Sequence, residues 1–480
     1  MKKLSELSAL LRGREISSVE LTRAYLDAIG EKKELGAYLT VTAESALEAA
    51  RAADARYAKG EPLSAIDGIP CVLKDNIVTA GVKTSCASRM LENYVPFYDA
   101  FVWERLRGAG AVLLGKGNMD EFAMGSTTES SAFFPTRNPV NPDYVPGGSS
   151  GGVAAAVAAG LAAFGLGSDT GGSIRQPASF CGVSGLKPSY GRVSRYGLVA
   201  YGSSLDQIGP MSRCAEDLAL LFPLLCGRDE RDMTSLELPP RAVPALEDLK
   251  GLRVGVPEEL YNNCEEGVTE AVRRALDTLR ALGAETVEVR IPLLDYSLPA
   301  YYIIACAEAA SNLNRYDGIR YGACAEGYHS FAQMVTKTRS ENFGSEVKRR
   351  IMLGNYVLSA GYFDAYYRKA QQLRAALRQE FSRVLTEVDL LVSPVSPVAG
   401  LRFGAQMKPV EVYQTDICTV PVNLTGLPAL SVPCGFDGKG LPVGMQLIGR
   451  HCRDEELIAA ASLFERATNY AWVRGGEDRV

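Results

Sequence analysis

Apolar residues along the chain follow two rhythms, a helical one and short unbroken runs, and the two alternate over most of the length. Residues 1–60 read as helical. Ser17 and Glu20 have capping-box spacing, Leu21, Tyr25 and Ile29 repeat at helical intervals, and a second helix is predicted over about 44–57 with Gly60 closing it. Residues 68–76 then form an apolar, strand-like run that ends in Lys74, Asp75 and Asn76. With Asp99 as its N-cap, a helix is predicted to residue 107, followed by a buried strand over 111–114. The same unit recurs as a helix over 153–160 with a strand over 163–167, and a further helix covers 215–225.

Residues 228–250 carry more charge and proline, lack an apolar period and read as a surface connection. A strand over 252–256, a helix over 267–282 and a strand over 286–291 resume the alternation. The segment from about 295 to 386 is mainly helical. Short strands at 390–393, 429–432 and 444–447 precede a last helix over 454–466. This order predicts an α/β architecture with an open mixed sheet.

Composition narrows the class without changing that picture. With 47% hydrophobic and 22% charged residues the 480-residue chain has apolar material for a large core. A net charge of −5 gives no electrostatic footprint for direct, non-specific nucleic-acid binding, although a partner could still supply one. The first residues lack the apolar run and small-residue cleavage site of a secretory signal, and no stretch approaches the roughly 20 apolar residues of a membrane span. A cytoplasmic location away from membranes is therefore expected. The 11 cysteines are scattered, with no CxxC or Cys/His spacing, so reduced thiols and no metal site are expected.

The chemistry concentrates in residues 146–182, where Gly147-Gly148-Ser149-Ser150-Gly151-Gly152 and Thr170-Gly171-Gly172-Ser173 bracket a small-residue helix and an apolar run. Glycine this dense marks backbone that turns sharply or approaches something closely. Ser173, at a strand-to-helix turn, would sit among N–H groups able to stabilise an oxyanion; the competing reading is that it merely caps a helix. The GxSxG elbow is absent. Only two histidines occur, His329 and His451, neither near these clusters in sequence, so a base other than histidine has to be considered. Lys74 is the best candidate because it ends an apolar run. Burial would make its amine neutral and basic, whereas snorkelling to solvent would leave it inert.

Those residues resemble the amidase signature family, over nearly the whole chain. Lys74 in VLKDN, Ser149 in PGGSSGG and Ser173 in DTGGSIRQPA match its Ser–cis-Ser–Lys triad. The resemblance implies a single domain over 1–480 in the amidase signature fold, a large mixed β-sheet core sandwiched by α-helices. Residues 1–60 and about 295–386 would be helical additions to it. It also implies a cis peptide between Gly148 and Ser149, Ser173 as nucleophile, Ser149 as relay and Lys74 as base. Thr170, Gly171 and Gly172, with Ser173, would supply the oxyanion-binding amides. Residues 118–126, 204–210 and 347–354 resemble one branch most closely, the glutamine-hydrolysing subunits of tRNA-dependent amidotransferases. For that branch the resemblance implies Arg350 for the glutamine carboxylate, with Arg349 as a competitor, Asp416 for its ammonium and Tyr301 lining the pocket. It further implies partner subunits B and C in a heterotrimer, and mischarged Glu-tRNA(Gln) or Asp-tRNA(Asn) reached mainly through a partner. No cofactor is expected in this chain; ATP and Mg2+ are expected to serve the complex through the partner subunit. The alternatives are a free-standing amidase for small or aryl amides and a non-catalytic scaffold that kept the fold, against which the retention of all three triad positions argues.

Overall fold

In the computed structural model, which describes residues 2–468, eleven strands form one mixed sheet. In chain order they are β1 (Tyr38–Val41), β2 (Pro70–Lys74), β3 (Val112–Gly117), β4 (Phe164–Asp169), β5 (Ser184–Lys187), β6 (Gln207–Ser212), β7 (Arg253–Pro257), β8 (Glu285–Val289), β9 (Leu390–Pro394), β10 (Ala429–Phe436) and β11 (Pro442–Gly449). Across the sheet the order is β1-β3-β2-β4-β6-β5-β10-β11-β9-β7-β8. The pairs β3–β2, β2–β4, β9–β7 and β7–β8 are parallel and the others antiparallel. Large buried apolar clusters pack the helices against the sheet, as the alternation predicted.

Most predicted elements are present with shifted ends, and the exceptions have identifiable causes. Residues 1–60 are not wholly helical, because β1 runs between the helices Ser18–Glu31 and Ala43–Lys59. Strands β5 (SGLK) and β6 (QIGPMS) carry too few branched or aromatic residues to be read as strands. Asp99 does not cap the next helix, Phe101–Gly108. Its carboxylate accepts from the Ala80 N–H at 2.7 Å and pairs with Arg107, so Ala100 occupies the cap. No helix among the described residues is long and apolar enough to cross a membrane. The expected single domain also took in Met1 and residues 469–480, which lie outside the described residues.

Two features position the site. The C-terminal ends of the parallel strands β2 and β4 lie side by side in the middle of the sheet, with Leu73 opposite Leu166, so Lys74 and Ser168 emerge at the same end of the strands. The helix Gly151–Ala158 packs directly on those strands. A Cβ at Gly117 or Gly165 would fall 2.9 or 2.5 Å from Val153, so glycine at both positions permits the approach.

Candidate active site

Lys74 and Ser149 are fully buried, and Lys74 Nζ lies 2.7 Å from Ser149 Oγ. The same nitrogen reaches Ser168 Oγ at 2.9 Å and Ser168 O at 3.3 Å. A neutral amine has two N–H donors and one lone pair. Ser168 can take both donors, which leaves the lone pair facing the Ser149 hydroxyl. Burial drives the Lys74 pKa down to about 7, against the upward pull of Asp120, Asp169 and Asp206. The position behaves as a buried amine and not as a snorkelling surface lysine.

The backbone of both glycine–serine loops is held from many sides. The Gly148–Ser149 peptide is cis. The Gly148 N–H donates to Gln176 Oε1 at 2.9 Å, the Asp120 N–H to Ser149 O at 3.2 Å and the Thr128 hydroxyl to Gly147 O at 2.8 Å. A Cβ on Gly148 would lie 2.0 Å from Asp120 Oδ2. In the second loop the Thr170 hydroxyl donates to Asp206 at 2.6 Å, the Thr419 hydroxyl to Gly171 O at 2.6 Å and the Ser150 N–H to Ser173 O at 3.2 Å. Ser173 therefore sits in a turn whose backbone is already organised.

Asp169 holds the turn that carries Ser173. Its carboxylate accepts from the N–H groups of Gly172 at 2.9 Å and Ile174 at 3.1 Å, at the start of the helix Arg175–Cys181. Ser173 does not cap that helix: Ile174 stands at the cap position without a side-chain cap hydrogen bond, and Asp169 braces the turn before it. Asp169 is itself gripped by Arg175 Nε at 3.0 Å and Nη2 at 2.9 Å, and by Asn423 Nδ2 at 2.9 Å. Burial opposes its charge, but the Arg175 guanidinium outweighs burial and holds the carboxyl well below its usual range. One expectation changes as a result. The Gly172 amide, expected among the oxyanion donors, is taken by Asp169. Ser173 itself is 8% exposed, while Lys74 and Ser149 are closed off.

The residues expected to hold an amino-acid substrate also converge. Tyr301 and Tyr302 lie on the helix Ser297–Asn312, Arg350 on the helix Ser345–Leu358 and Asp416 at a turn after Pro409–Gln414. A Cβ on Gly171 would lie 2.4 Å from Tyr301 Oη, so Tyr301 closes directly onto the Ser173 loop. The Arg350 side chain is 4% exposed and that of Arg349 48%, which separates the two candidates: Arg349 faces solvent and pairs with Glu346. Arg350 donates from Nη1 to Tyr201 Oη at 2.6 Å and from Nε to Glu346 Oε1 at 2.8 Å. Asp416 accepts from Ser126 Oγ at 3.0 Å and from Tyr302 Oη at 2.9 Å. Burial raises the Asp416 pKa to about 7, against the hydrogen bonds from Tyr302 and Ser126. A cavity of about 240 Å3 opens beside Arg350 and Ser126 and is also lined by Arg402 and Tyr413.

Sequence reasoning missed Ser168, Asp169, Tyr201, Ser126, Tyr302, Glu346 and Tyr413. Glu346 precedes Arg350 by four helical positions, a spacing that signals an ion pair. The partners of Ser168 and Tyr201 are distant in sequence and give no such signal. Among the described residues no group of three histidine, cysteine or acidic side chains is placed to hold a metal.

Residues 20–458 match the amidase family. The chain is 56% identical over 470 residues to the A-subunit of the glutamyl-tRNA(Gln) amidotransferase of Moorella thermoacetica, covering 97% of this chain and 96% of that one. Among solved structures it resembles the A-subunit of the glutamyl-tRNA(Gln) amidotransferase of Thermotoga maritima, with 44% identity, a TM-score of 0.78 and coverage of 94% and 91%. It also resembles the peptide amidase of Stenotrophomonas maltophilia, with 30% identity, a TM-score of 0.82 and coverage of 98% and 97%.

Proposed function

The chain belongs to the amidase signature family, and we propose that within it the protein is the glutamine-hydrolysing subunit of a tRNA-dependent amidotransferase. The observation that carries this reading is the presence of buried Arg350 and buried Asp416 together beside the serine–lysine relay. A free α-amino acid amide presents a carboxylate and an ammonium together. A guanidinium and a carboxylate are the groups that would recognise both.

In the proposed reaction Ser173 attacks the side-chain amide carbonyl of glutamine as Ser149 takes its proton and passes its own to neutral Lys74. The amides of Gly171 and Ser173, with Thr170 beside them, stabilise the oxyanion, and the fixed loop needs no reorganisation to do so. Protonated Lys74, acting through Ser149, returns a proton to the departing nitrogen, and ammonia leaves. Water then enters through the same relay and releases glutamate from the acyl-enzyme. Ammonia is passed to a partner subunit, B of a heterotrimer with C, that holds the mischarged tRNA in the cytoplasm. ATP and Mg2+ belong to the partner's half of that reaction, and this chain contributes no cofactor.

Arg350→Ala is expected to raise the KM for glutamine by about 10- to 100-fold, since a hydrogen bond to a charged group contributes roughly 1.5–3 kcal/mol. The loss on an amide lacking a carboxylate should be smaller. Steady-state ammonia release on both substrates checks this, and equal losses would remove the carboxylate clamp.

The assembly is tested by co-purification followed by glutamine-dependent amidation of Glu-tRNA(Gln) and Asp-tRNA(Asn). Amidation of either tRNA, dependent on this chain, is the expected result. A lone polypeptide active on simple or aryl amides would establish the free-standing amidase instead.

A further inference from the structure

Beyond the expected pocket residues, Asp416 is tied through Tyr302 to a closed ring of side chains that contains Arg350. Tyr302 donates its hydroxyl to Asp416 Oδ2 at 2.9 Å, and its ring lies 5.2 Å from the Arg350 guanidinium carbon. That ring stacks on Tyr413 at 4.1 Å with an interplanar angle of 25°. Tyr413 in turn donates to Glu346 Oε1 at 2.5 Å, the oxygen that also accepts from Arg350 Nε. The Arg350 carbon is 5.3 Å from the Tyr413 ring, so one guanidinium faces two stacked aromatic rings and one carboxylate. Three separate helical segments thus meet at Tyr302, which is itself buried.

We propose that Tyr302 is a positioning residue that sets the separation of Arg350 and Asp416 and so selects α-amino-acid amides over simple amides. The inference rests on the assignment of those two residues to the glutamine carboxylate and ammonium. Stacking fixes the ring plane, and a fixed ring plane fixes where the hydroxyl holds Asp416. The same stacked pair borders the guanidinium, whose carbon lies 5.2 and 5.3 Å from the two ring centroids. A substrate that bridges both charges needs that spacing; an amide with neither charge does not. The hydroxyl has a second consequence, since a donor to the carboxylate favours its ionised form. Besides Tyr302, Asp416 is faced by the Ser126 hydroxyl and feels the charges of Arg350, which favours ionisation, and Asp169, which opposes it. Removal of the Tyr302 hydroxyl leaves Asp416 protonated up to a higher pH, where it can no longer accept the substrate ammonium.

The test compares Tyr302→Phe, Tyr413→Phe and Asp416→Asn with the wild-type protein, together with whatever subunits co-purify, on L-glutamine and on propionamide. For Tyr302→Phe the expected result is a KM for glutamine raised at least about tenfold, a loss at least about tenfold larger than that on propionamide, and an acid limb of kcat/KM for glutamine moved to higher pH. Tyr413→Phe should raise the same KM through Glu346 and Arg350 but leave the acid limb in place. If Asp416→Asn impairs glutamine use while Tyr302→Phe moves neither KM nor the limb, the positioning role is overturned and the pocket assignment stands. Equal losses of Tyr302→Phe on both substrates overturn it too, as a general packing defect. If Asp416→Asn leaves the glutamine KM unchanged, the pocket assignment fails and the role of Tyr302 fails with it.

Discussion

Ser173→Ala is expected to lower glutamine hydrolysis at least about 10⁴-fold, the scale on which loss of a serine nucleophile acts in enzymes of this logic. Ser173 is the proposed nucleophile, and it is 8% exposed whereas Lys74 and Ser149 are closed off. The same substitution should leave the fold intact. The N–H groups of Gly172 and Ile174 are held by Asp169 and not by Ser173, so alanine removes no cap. Glutamine binding should persist, because Arg350, Asp416 and Tyr301 are untouched. Ammonia release, glutamine calorimetry and a melting curve on one preparation separate these statements. Full activity in the variant would remove Ser173 from the mechanism, and a melting temperature lowered by many degrees would assign it a structural role.

Lys74→Arg is expected to be nearly as damaging as Lys74→Ala, with a loss of about 10²- to 10⁴-fold, because a guanidinium offers no lone pair near neutral pH. It also cannot fit three short contacts to Ser149 and Ser168 with its forked donors. Near-normal rates with arginine would mean that positive charge suffices. The wild-type pH profile provides a second check. Lys74 must be neutral and Asp416 ionised, and burial places both transitions near pH 7. Lowering the pH therefore protonates the base and neutralises the ammonium site together. For glutamine, log kcat/KM should fall below pH 7 with a slope approaching about 2, and for a simple amide with a slope of about 1. A profile for glutamine that stays flat well below pH 7 would exclude a neutral lysine base.

Legibility followed the range over which the physics acts. Gly60 closes its helix in the left-handed conformation, and Ser17 and Glu20 make their capping box, because the partners are only a few residues apart. Strands with branched apolar residues, such as β2 and β9, were visible for the same reason. Strands β5 and β6 were not. Their Gly, Ser and Pro residues suit close approach of neighbouring backbone and side chains: a Cβ on Gly209 would lie 2.0 Å from Leu186 O, and one on Gly185 2.9 Å from Ala178. No local pattern announces that need. Asp99 shows the converse, a good capping residue drawn away by Ala80 and Arg107.

The sequence by itself determined the alternating α/β order, the two glycine–serine loops and the shortage of histidine that turned attention to Lys74. Its motifs also carried the resemblance to the amidase signature family. All of these are properties of short segments, written in residue type and spacing. Only the structure decided that Arg350 and not Arg349 is buried beside Tyr201, that Asp169 and not Ser173 holds the amides of Gly172 and Ile174, and that Tyr302 joins Arg350 to Asp416. The first and last depend on elements brought together from far apart in the chain, and the Asp169 contacts, though short in range, are a choice of partner that residue spacing leaves open. Burial, which turns a lysine into a neutral base and raises the pKa of an aspartate, is likewise a property of the packed molecule and not of any stretch of it.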